Sequence, residues 1–257
     1  MEIPREPLPT RVDETPDLPP AFEAALRRGL DALGLDLSLA ARVAIDGHAR
    51  LLLAWTEAIN LTAIREPGAV ALRQVIDSLS AVVFLRERGI DRFVDIGSGG
   101  GYPGLPLAAV LPAARVLLAE PIGKKARFLG TAIGATGLEG VAEAAAVRAE
   151  ALAGDARHRG CWPAVTARAV ASLADLVELG FPLLAPGGVL VAWKRGDLAT
   201  ELEAAERAVR ALGGGRLDVR PVHVPGLEDH RLVVATAAGR AAAAYPRDPG
   251  ARKRRPW

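Results

Sequence analysis

A glycine-rich segment near the middle of the chain carries the strongest chemical signal in the sequence. An apolar run ends in an acid, and a glycine turn then opens a helix: Phe93-Val94-Asp95-Ile96-Gly97-Ser98-Gly99-Gly100-Gly101-Tyr102-Pro103-Gly104. Glycine tolerates positive φ angles and lets a ligand approach the backbone closely. In doubly wound sheets, nucleotide-like ligands bind where the first strand ends. The segment therefore predicts a binding site for such a ligand.

Two details restrict the identity of that ligand. A dinucleotide-binding turn needs a small residue where Tyr102 stands, and a nucleoside-triphosphate loop needs Gly-Lys-Ser/Thr, which this segment lacks. Asp95 directly precedes the glycines, and Glu120 ends the next β-rich run 23 residues after Gly97, a suitable place for an acid that binds ribose hydroxyls. S-adenosylmethionine carries an amine and a sulfonium but no phosphate, so a loop lined by carboxylates favours it. A structural glycine turn without a ligand is the alternative.

Histidine and cysteine are too sparse to indicate metal or disulfide chemistry. The chain has four scattered histidines and one cysteine, Cys161, which favours no metal site and a reducing, cytoplasmic location. No uninterrupted apolar run approaches the ~20 residues of a membrane span, so no membrane contact is expected. The acidic, proline-rich start from Met1 to Pro20 has no apolar centre, so we do not interpret it as a signal peptide.

The elements that must position these residues follow a clear pattern. Three helices are predicted first, at Ala21–Leu35, Ser38–Asn60 and Glu66–Arg88. Strands at Arg92–Ile96, Arg115–Glu120, Val141–Val147, Ala164–Thr166 and Val189–Trp193 then alternate with helices at Leu105–Val110, Lys124–Thr136, Leu173–Leu184 and Leu198–Leu212. Arg216–Val222 and Arg231–Thr236 follow as an antiparallel hairpin at the sheet edge. The pattern predicts an α/β fold, a doubly wound, mostly parallel seven-stranded sheet with an N-terminal helical extension.

Composition divides the chain into four predicted segments. Residues 1–20 form a disordered or extended proline-rich tail, 21–90 the helical extension, 91–240 the ligand-binding domain and 241–257 a basic C-terminal tail. The chain has a net charge of only +2, yet this tail sets five cations against Asp248, namely Arg247, Arg252, Lys253, Arg254 and Arg255. Such uneven charge favours a polyanion as the partner. A solvated charged terminus is the alternative.

A series of short motifs in one order resembles the bacterial ribosomal RNA small subunit methyltransferase G family, also called glucose-inhibited division protein B. The motifs are Trp55 with Asn60-Leu61-Thr62, Arg73 with Asp77-Ser78-Leu79, the glycine segment through Leu105-Pro106, Gly123-Lys124-Lys125 with Phe128-Leu129, Arg148-Ala149-Glu150, Ala167-Arg168-Ala169 with Ser172-Leu173, Pro186-Gly187-Gly188, Lys194, and Tyr245-Pro246-Arg247. The resemblance covers Trp55 to the C-terminus. It implies a Rossmann-like class I methyltransferase that uses S-adenosylmethionine to methylate N7 of a specific guanosine in 16S ribosomal RNA.

The resemblance also implies roles for individual residues. Contacts with the cofactor are implied for Gly97 and Tyr102 at its methionine part, Glu120 at its ribose, and Ala149 and Glu150 at its adenine. Arg168 would lie beside the cofactor and orient the guanosine, with no general base required. We add Asp95 and Gly99 to the cofactor-binding candidates because they belong to the glycine segment. Gln74 stands where the family usually has histidine, which puts any role of that histidine in doubt here.

Basic residues are the candidates for contact with ribosomal RNA or the small ribosomal subunit. Lys124 and Lys125 open a predicted helix, where the positive end of the helix dipole disfavours cations. Their presence there indicates an anion nearby. The complete set of RNA-binding candidates is Lys124, Lys125, Lys194, Arg247, Arg252, Lys253 and Arg254.

Two other functions compete with this interpretation. A methyltransferase of exocyclic amines is expected to carry Asp/Asn-Pro-Pro-aromatic after the fourth strand, where this chain has Thr166-Ala167-Arg168-Ala169, and an enzyme that methylates pyrimidine C5 needs a cysteine there. A methyltransferase acting on another RNA position or acceptor stays possible on the residues alone. The other alternative is a non-catalytic RNA-binding factor of ribosome assembly, which would keep the basic tail and lose the glycine segment.

Overall fold

The computed structural model describes residues 7–257, and the first long elements are the helices of the extension. Helices α1 and α2 span Pro20–Leu33 and Leu39–Ile59. Helix α1 ends earlier than predicted because Gly34 adopts a left-handed φ of +63°, a common way to terminate a helix. Ser38 caps α2, since its Oγ accepts a hydrogen bond from the Ala41 N–H at 3.2 Å.

The third predicted helix is a helical stretch in several pieces. These are α3 (Pro67–Val70), a π-helical turn (Ala71–Ile76), α4 (Asp77–Leu79) and, after a short break, α5 (Val82–Glu87). By length and composition the stretch could cross a membrane, with a mean hydropathy of 1.5, yet 67% of its most apolar window is buried inside the molecule. The sequence prediction overlooked it because Arg73 and Asp77 interrupt the apolar run. Here the stretch packs as a core helix.

The predicted seven-stranded sheet is confirmed. Its strands are β1 (Arg92–Ile96), β2 (Arg115–Ala119), β3 (Ala142–Ala145), β4 (Trp162–Arg168), β5 (Leu184–Arg195), β6 (Gly215–Pro221) and β7 (His230–Ala237). The order across the sheet is β3-β2-β1-β4-β5-β7-β6. Strands β1 to β5 are parallel, and β7 runs antiparallel to both β5 and β6, which confirms the hairpin.

Crossover helices place a crevice at one end of this sheet. They are α6 (Gly104–Val110), α7 (Gly123–Ala135), α8 (Ala149–Gly154), α9 (Leu173–Gly180) and α10 (Ala199–Ala211). Helix α8 was not predicted, because its six residues are too few for a periodic apolar pattern. The strand order reverses between β1 and β4, and ligands of doubly wound sheets bind at the carboxyl ends of the strands at such a point.

Each face of the sheet has its own hydrophobic core. On one face, Phe93 and Phe128 are fully buried together with Leu52 and Ile76 from the helical extension. The other face packs against α8, α9 and α10. The helical extension packs on one face of the sheet and shares a hydrophobic core with it. The boundary predicted at residue 90 therefore separates two segments of the chain but not two hydrophobic cores.

The chain start is ordered where the structure describes it. The Trp55 Nε1–H donates a hydrogen bond to the Pro9 carbonyl at 2.7 Å, and Arg50 forms an ion pair with Asp17 at 2.9 Å. Arg50 Nε also donates to Thr15 Oγ1 at 3.1 Å. Of the two states predicted for residues 1–20, disordered or extended, disorder does not describe residues 7–20, which satisfy polar groups of α2. The first six residues lie outside the described residues.

The basic C-terminal segment also folds back onto the protein. It contains helix α11 (Pro249–Arg254), which was not predicted. Arg247 forms an ion pair with the buried Glu178 at 2.5 Å, and Arg252 forms one with Glu150 at 2.5 Å. Carboxylates of the body are therefore the partners of these two arginines, and their predicted contact with RNA stays a prediction.

Candidate functional site

The glycine loop, residues 97–101, adopts the backbone that its composition predicts. Gly97, Gly99 and Gly101 have φ angles of +69°, +55° and +88°. A Cβ atom on Gly97 would lie 2.6 Å from Val170 Cγ2, whereas one on Gly99 would meet nothing nearer than 3.8 Å. The loop is thus packed on the protein at Gly97 and open at Gly99, so the backbone at Gly99 is accessible to a ligand.

Glu120 joins this loop to the end of β2. Its Oε2 accepts a hydrogen bond from the Gly99 N–H at 2.8 Å, and its Oε1 accepts one from the Ile122 N–H at 2.8 Å. Each carboxylate oxygen has a second lone pair, so the side chain can hold the loop and still accept hydrogen bonds from a ribose. The hydrogen bond from Gly99 to Glu120 was not predicted, and the predicted contact of Glu120 with ribose stays a prediction.

Asp95 does not point into the crevice. Its side chain is fully buried, and Oδ1 accepts a hydrogen bond from Thr166 Oγ1 at 2.7 Å. Burial raises the pKa of this carboxyl to about 6, against the opposing effects of hydrogen bonds from Thr166 and Ser98 and of the Arg168 charge. The structure corrects the predicted cofactor contact, because Asp95 supports the loop from beneath and ties β1 to β4.

His48 from α2 supports the other side of the loop. Its Nε2–H donates a hydrogen bond to the Gly100 carbonyl at 2.7 Å, and its ring lies 4.5 Å from the Tyr102 ring. Burial lowers the pKa of His48 to about 4, an effect that the Arg168 charge reinforces and the Gly100 hydrogen bond opposes. His48 is therefore neutral at pH 7. The sequence contained no signal for this contact, because the two residues are 52 positions apart.

The buried imidazole has a consequence for stability against pH. Because the pKa is about 4 in the folded protein and ~6.5 in an unfolded chain, the contribution of His48 is complete above pH ~6.5 and is lost as the pH falls toward 4. We expect the free energy of unfolding of wild type, relative to that of His48→Gln, to fall by about 3 kcal/mol between these pH values, at 1.36 kcal/mol per pKa unit. Urea unfolding of both proteins at several pH values measures this difference. Parallel pH profiles would show that His48 is not buried as the neutral form.

Tyr102 lies between His48 and Arg168. Its side chain is only 5% exposed, and the Arg168 guanidinium lies 5.3 Å from the ring centre. Burial raises the pKa of the Tyr102 hydroxyl, so the hydroxyl keeps its proton. The predicted contact of Tyr102 with the methionine part of a cofactor stays a prediction, and the structure shows the ring as a support for Arg168.

A cleft of about 530 Å³ opens at the carboxyl ends of β4 and β5. We call it the β4–β5 cleft; its walls are Ile64, Arg73, Gln74, Asp77, Arg168, Ala169, Trp193, Lys194, Arg195, Asp197, Leu198, Glu201 and His230. Of the predicted site residues it contains Arg168 and Lys194. The other predicted cofactor residues lie toward β1, β2 and β3, so the structure separates a glycine-loop side from a cleft side.

Arg168 is held rigidly at the boundary between these two sides. Its Nη1 donates to the Arg73 carbonyl at 2.9 Å and to Asp77 Oδ2 at 3.3 Å, and its Nη2 donates to Gln74 Oε1. Gln74 Nε2 in turn donates to Thr62 Oγ1 at 2.8 Å. At the position where the family usually has histidine, this chain therefore uses an amide that links Arg168 to the extension.

Asp77 and His230 are the main cleft residues to which the sequence assigned no role. Asp77 Oδ1 accepts a hydrogen bond from His230 Nδ1–H at 2.9 Å, and the Asp77 carbonyl accepts one from Trp193 Nε1–H at 2.6 Å. A lone acid between Ile76 and Leu79 in an apolar helix was a signal that could have identified Asp77. No local pattern points to His230, which is 153 residues away.

The remaining predicted residues lie around this site. Ala149 and Glu150 begin α8 after β3, and Glu150 faces Arg252 from the C-terminal segment. Lys124 is exposed at the start of α7, next to the end of β2. Lys194 donates a hydrogen bond to the Ala171 carbonyl at 3.0 Å. Among residues 7–257, no group of three or more His, Cys, Asp or Glu side chains is arranged to hold a metal ion.

Two solved O-methyltransferases share this architecture, one in complex with SAH and one in complex with SAM. An O-methyltransferase from Bacillus cereus in complex with SAH has a TM-score of 0.54 at 16% identity, covering 84% of this chain and 99% of that chain. The O-methyltransferase TomG from Streptomyces achromogenes in complex with SAM has a TM-score of 0.51 at 16% identity, covering 79% and 92%. These likenesses show that the sheet of this chain has the class I methyltransferase fold.

The family follows from the sequence comparisons. The model of the rRNA small subunit methyltransferase G (GidB) family matches residues 43–231. Proteins named ribosomal RNA small subunit methyltransferase G are 42% identical in Roseiflexus sp. (strain RS-1), over 79% of this chain and 86% of that protein, and 42% identical in Rubrobacter xylanophilus, over 90% of both. This chain belongs to the rRNA small subunit methyltransferase G family.

The residues of the glycine loop fit the cofactor of this class. When bound, S-adenosylmethionine supplies an electrophilic methyl group on its sulfonium. The open face of Gly99 leaves room for close approach, and Glu120 can accept hydrogen bonds from the ribose. We expect residues 97–101 and Glu120 to hold the cofactor, while His48 and Asp95 keep the loop in shape.

Proposed function

We propose that this protein transfers the methyl group of S-adenosylmethionine to N7 of a guanosine in 16S ribosomal RNA. Its partner would be ribosomal RNA or the small ribosomal subunit, and its location the cytoplasm. Membership of the family supports the reaction, and the β4–β5 cleft with Arg168 fixed beside the glycine loop is the observation that carries it. A base in this cleft would lie next to the cofactor.

The chemistry of guanine N7 fits a site of this kind. N7 has an in-plane lone pair and bears no hydrogen, so no proton must be removed before it attacks the methyl group. The bond to sulfur breaks as the bond to nitrogen forms, and the positive charge moves to the purine. Alignment of the reacting atoms can then supply ~7–11 kcal/mol of the barrier. Three acceptors hold the guanidinium of Arg168, so this side chain is suited to orienting the guanosine or its phosphate.

One observation favours a second candidate, a methyltransferase whose acceptor carries a proton. Asp77 and His230 form a hydrogen-bonded pair in the same cleft, and such a pair can act as a general base on an amine or a hydroxyl. In the N7 reaction the same pair has only a positioning role, because Asp77 also binds Arg168.

The rate of methyl transfer against pH separates these two reactions. For N7, we expect the single-turnover rate at saturating substrate to be nearly independent of pH over roughly 6.5 to 9, because no catalytic base titrates. Arg168→Ala should reduce this rate about 10- to 100-fold, as for the loss of a charge-assisted hydrogen bond, and leave cofactor binding measurable. The assay uses 16S ribosomal RNA and small subunits and identifies 7-methylguanosine by mass spectrometry of the digested RNA. A rate that rises tenfold per pH unit would favour the second candidate.

The exposed end of the C-terminal segment is the part expected to contribute nonspecific RNA affinity. Lys253, Arg254 and Arg255 are exposed, and within residues 7–257 none of them forms an ion pair. Replacing all three with glutamine should flatten the slope of log K against log salt by about 2 for single-stranded RNA. Filter binding across a salt series gives this slope. Arg252 is left intact because it pairs with Glu150, and an unchanged slope would mean that the segment is a solvated terminus.

A further inference from the structure

A lysine and a glutamate face each other on one wall of the β4–β5 cleft. Lys194 lies near the end of β5 and Glu201 in the first turn of α10. The Lys194 Nζ and Glu201 Oε2 atoms are 2.8 Å apart, with side chains that are 13% and 40% exposed. The pair thus places a charged donor next to a charged acceptor in the wall of the β4–β5 cleft. This cleft is large enough for a base.

This arrangement complements one edge of guanine. Guanine has the O6 acceptor directly beside the N1–H donor, and its N2 amine follows on the same edge. Adenine presents the reverse order, an amine donor beside the N1 acceptor. Enzymes that act on a base commonly take it out of the stack and read its Watson–Crick edge in a pocket. Hydrogen bonds with an ionised partner are about twice as strong as neutral ones, so a Lys–Glu pair can discriminate between the two purines.

We propose, on the basis of the proposed N7 reaction, that Lys194 and Glu201 select guanine in the β4–β5 cleft. Lys194 donates a hydrogen bond to O6, and the Glu201 carboxylate accepts hydrogen bonds from N1–H and the N2 amine. N7 then faces away from Glu201, which leaves it free to meet the methyl group. Without RNA, Lys194 Nζ lies 2.8 Å from Glu201 Oε2 as an ion pair but donates its hydrogen bond to the Ala171 carbonyl at 3.0 Å. Among residues 7–257, the Glu201 Oε2 atom therefore accepts no hydrogen bond and is available to a donor of the base.

The other carboxylates of the cleft are less suited to this role. Both oxygens of Asp77 are used, one by His230 and one by Arg168. Asp197 is exposed at the rim, and its Oδ1 accepts a hydrogen bond from the Ala199 N–H at 3.0 Å. Glu201 differs from both, because among residues 7–257 its Oε2 accepts no hydrogen bond and its ion-pair partner is the Lys194 side chain.

The test compares two bases at the modified position. The guanosine that wild type methylates in 16S ribosomal RNA is located by mass spectrometry, and an RNA fragment with guanosine or inosine at that position is then used in single-turnover assays. Inosine keeps N7, O6 and N1–H but lacks the N2 amine. We expect wild type to prefer guanosine about 10-fold or more, as for a lost hydrogen bond to a charged group. Glu201→Gln should lower kcat/KM for guanosine about 30-fold, lower that for inosine much less, and so nearly abolish the preference.

Matched variants exclude a merely structural role of Glu201. Glu203 is an exposed residue of the same helix and, among the described residues, forms no ion pair, so Glu203→Gln should behave as wild type. Glu201→Asp keeps a carboxylate and should restore part of the preference. The proposal would be overturned if Glu201→Gln lowered kcat/KM equally for guanosine and inosine, or lowered neither, while wild type is active. A wild type that forms no 7-methylguanosine in ribosomal RNA or small subunits would instead overturn the proposed function.

Discussion

Gly99→Val is expected to weaken S-adenosylmethionine binding at least about 100-fold, which corresponds to about 2.7 kcal/mol. The φ angle at this position is +55°, a region that costs an L-residue about 1–2 kcal/mol and is least tolerated by β-branched side chains. A valine side chain would also enter the open space beside the loop, where the cofactor must approach the backbone. Both effects act on the loop that Glu120 holds through the Gly99 N–H. Calorimetric titration with S-adenosylmethionine measures the loss.

Gly89→Val is the matched control for this substitution. Gly89 has a φ angle of +62°, and a Cβ atom there would meet nothing within 4 Å. It lies in the turn before β1, at the opposite end of the strand from the glycine loop. The control therefore carries the same backbone penalty without entering the crevice, and it should bind the cofactor as wild type does. If wild type and Gly99→Val bound S-adenosylmethionine with equal affinity, the glycine loop would not be part of the binding site.

Arg247→Ala is expected to destabilise the protein by about 3–5 kcal/mol, the usual cost of leaving a buried charge without its partner. Glu178 on α9 is fully buried and accepts hydrogen bonds from Arg247 N, Nε and Nη2 and from Trp257 Nε1, at 2.5–3.1 Å. Removing the guanidinium leaves the carboxylate with two neutral donors. Urea unfolding at pH 7 measures the change. Arg254→Ala, in exposed helix α11, is the control and should stay within about 0.5 kcal/mol of wild type.

Acid should reduce the difference in free energy of unfolding between wild type and Arg247→Ala. Burial raises the pKa of Glu178, but the hydrogen bonds from Arg247 and Trp257 outweigh it and hold the pKa below its ordinary value. A lowered folded pKa means that the stabilisation is complete above the unfolded value of ~4.3 and is lost as the pH falls through the folded one. The gap between the two proteins should therefore narrow below pH ~4. A gap that is constant over this range would show that the contribution is packing and not charge.

Local patterns in the sequence were sufficient for the architecture. The glycine segment predicted the ligand loop, together with Asp95 and Glu120 on two successive predicted strands. This was possible because positive φ angles and a strand–turn–helix order are local properties of the sequence. Apolar periodicity predicted the helices of the extension and the seven strands for the same reason. The motif series from Trp55 to Arg247 identified the family, since many short matches in one order are far more specific than any single one.

Only the tertiary structure decided where the polar side chains point. Asp95 lies near the end of β1, directly before the glycine loop, yet packing turns its side chain beneath the loop toward Thr166. The sequence did not reveal the ion pair of Arg247, because its carboxylate partner Glu178 is 69 residues away. The contact of His48 with Gly100 depends on how α2 packs on the sheet. Periodicity reports which face of an element is apolar, whereas a buried polar group must find its partner wherever the fold brings one. The sequence by itself therefore determined the sheet, the longer helices, the loop and the family, whereas the short helices α8 and α11 and the partners of the charged side chains depended on the packing of distant segments.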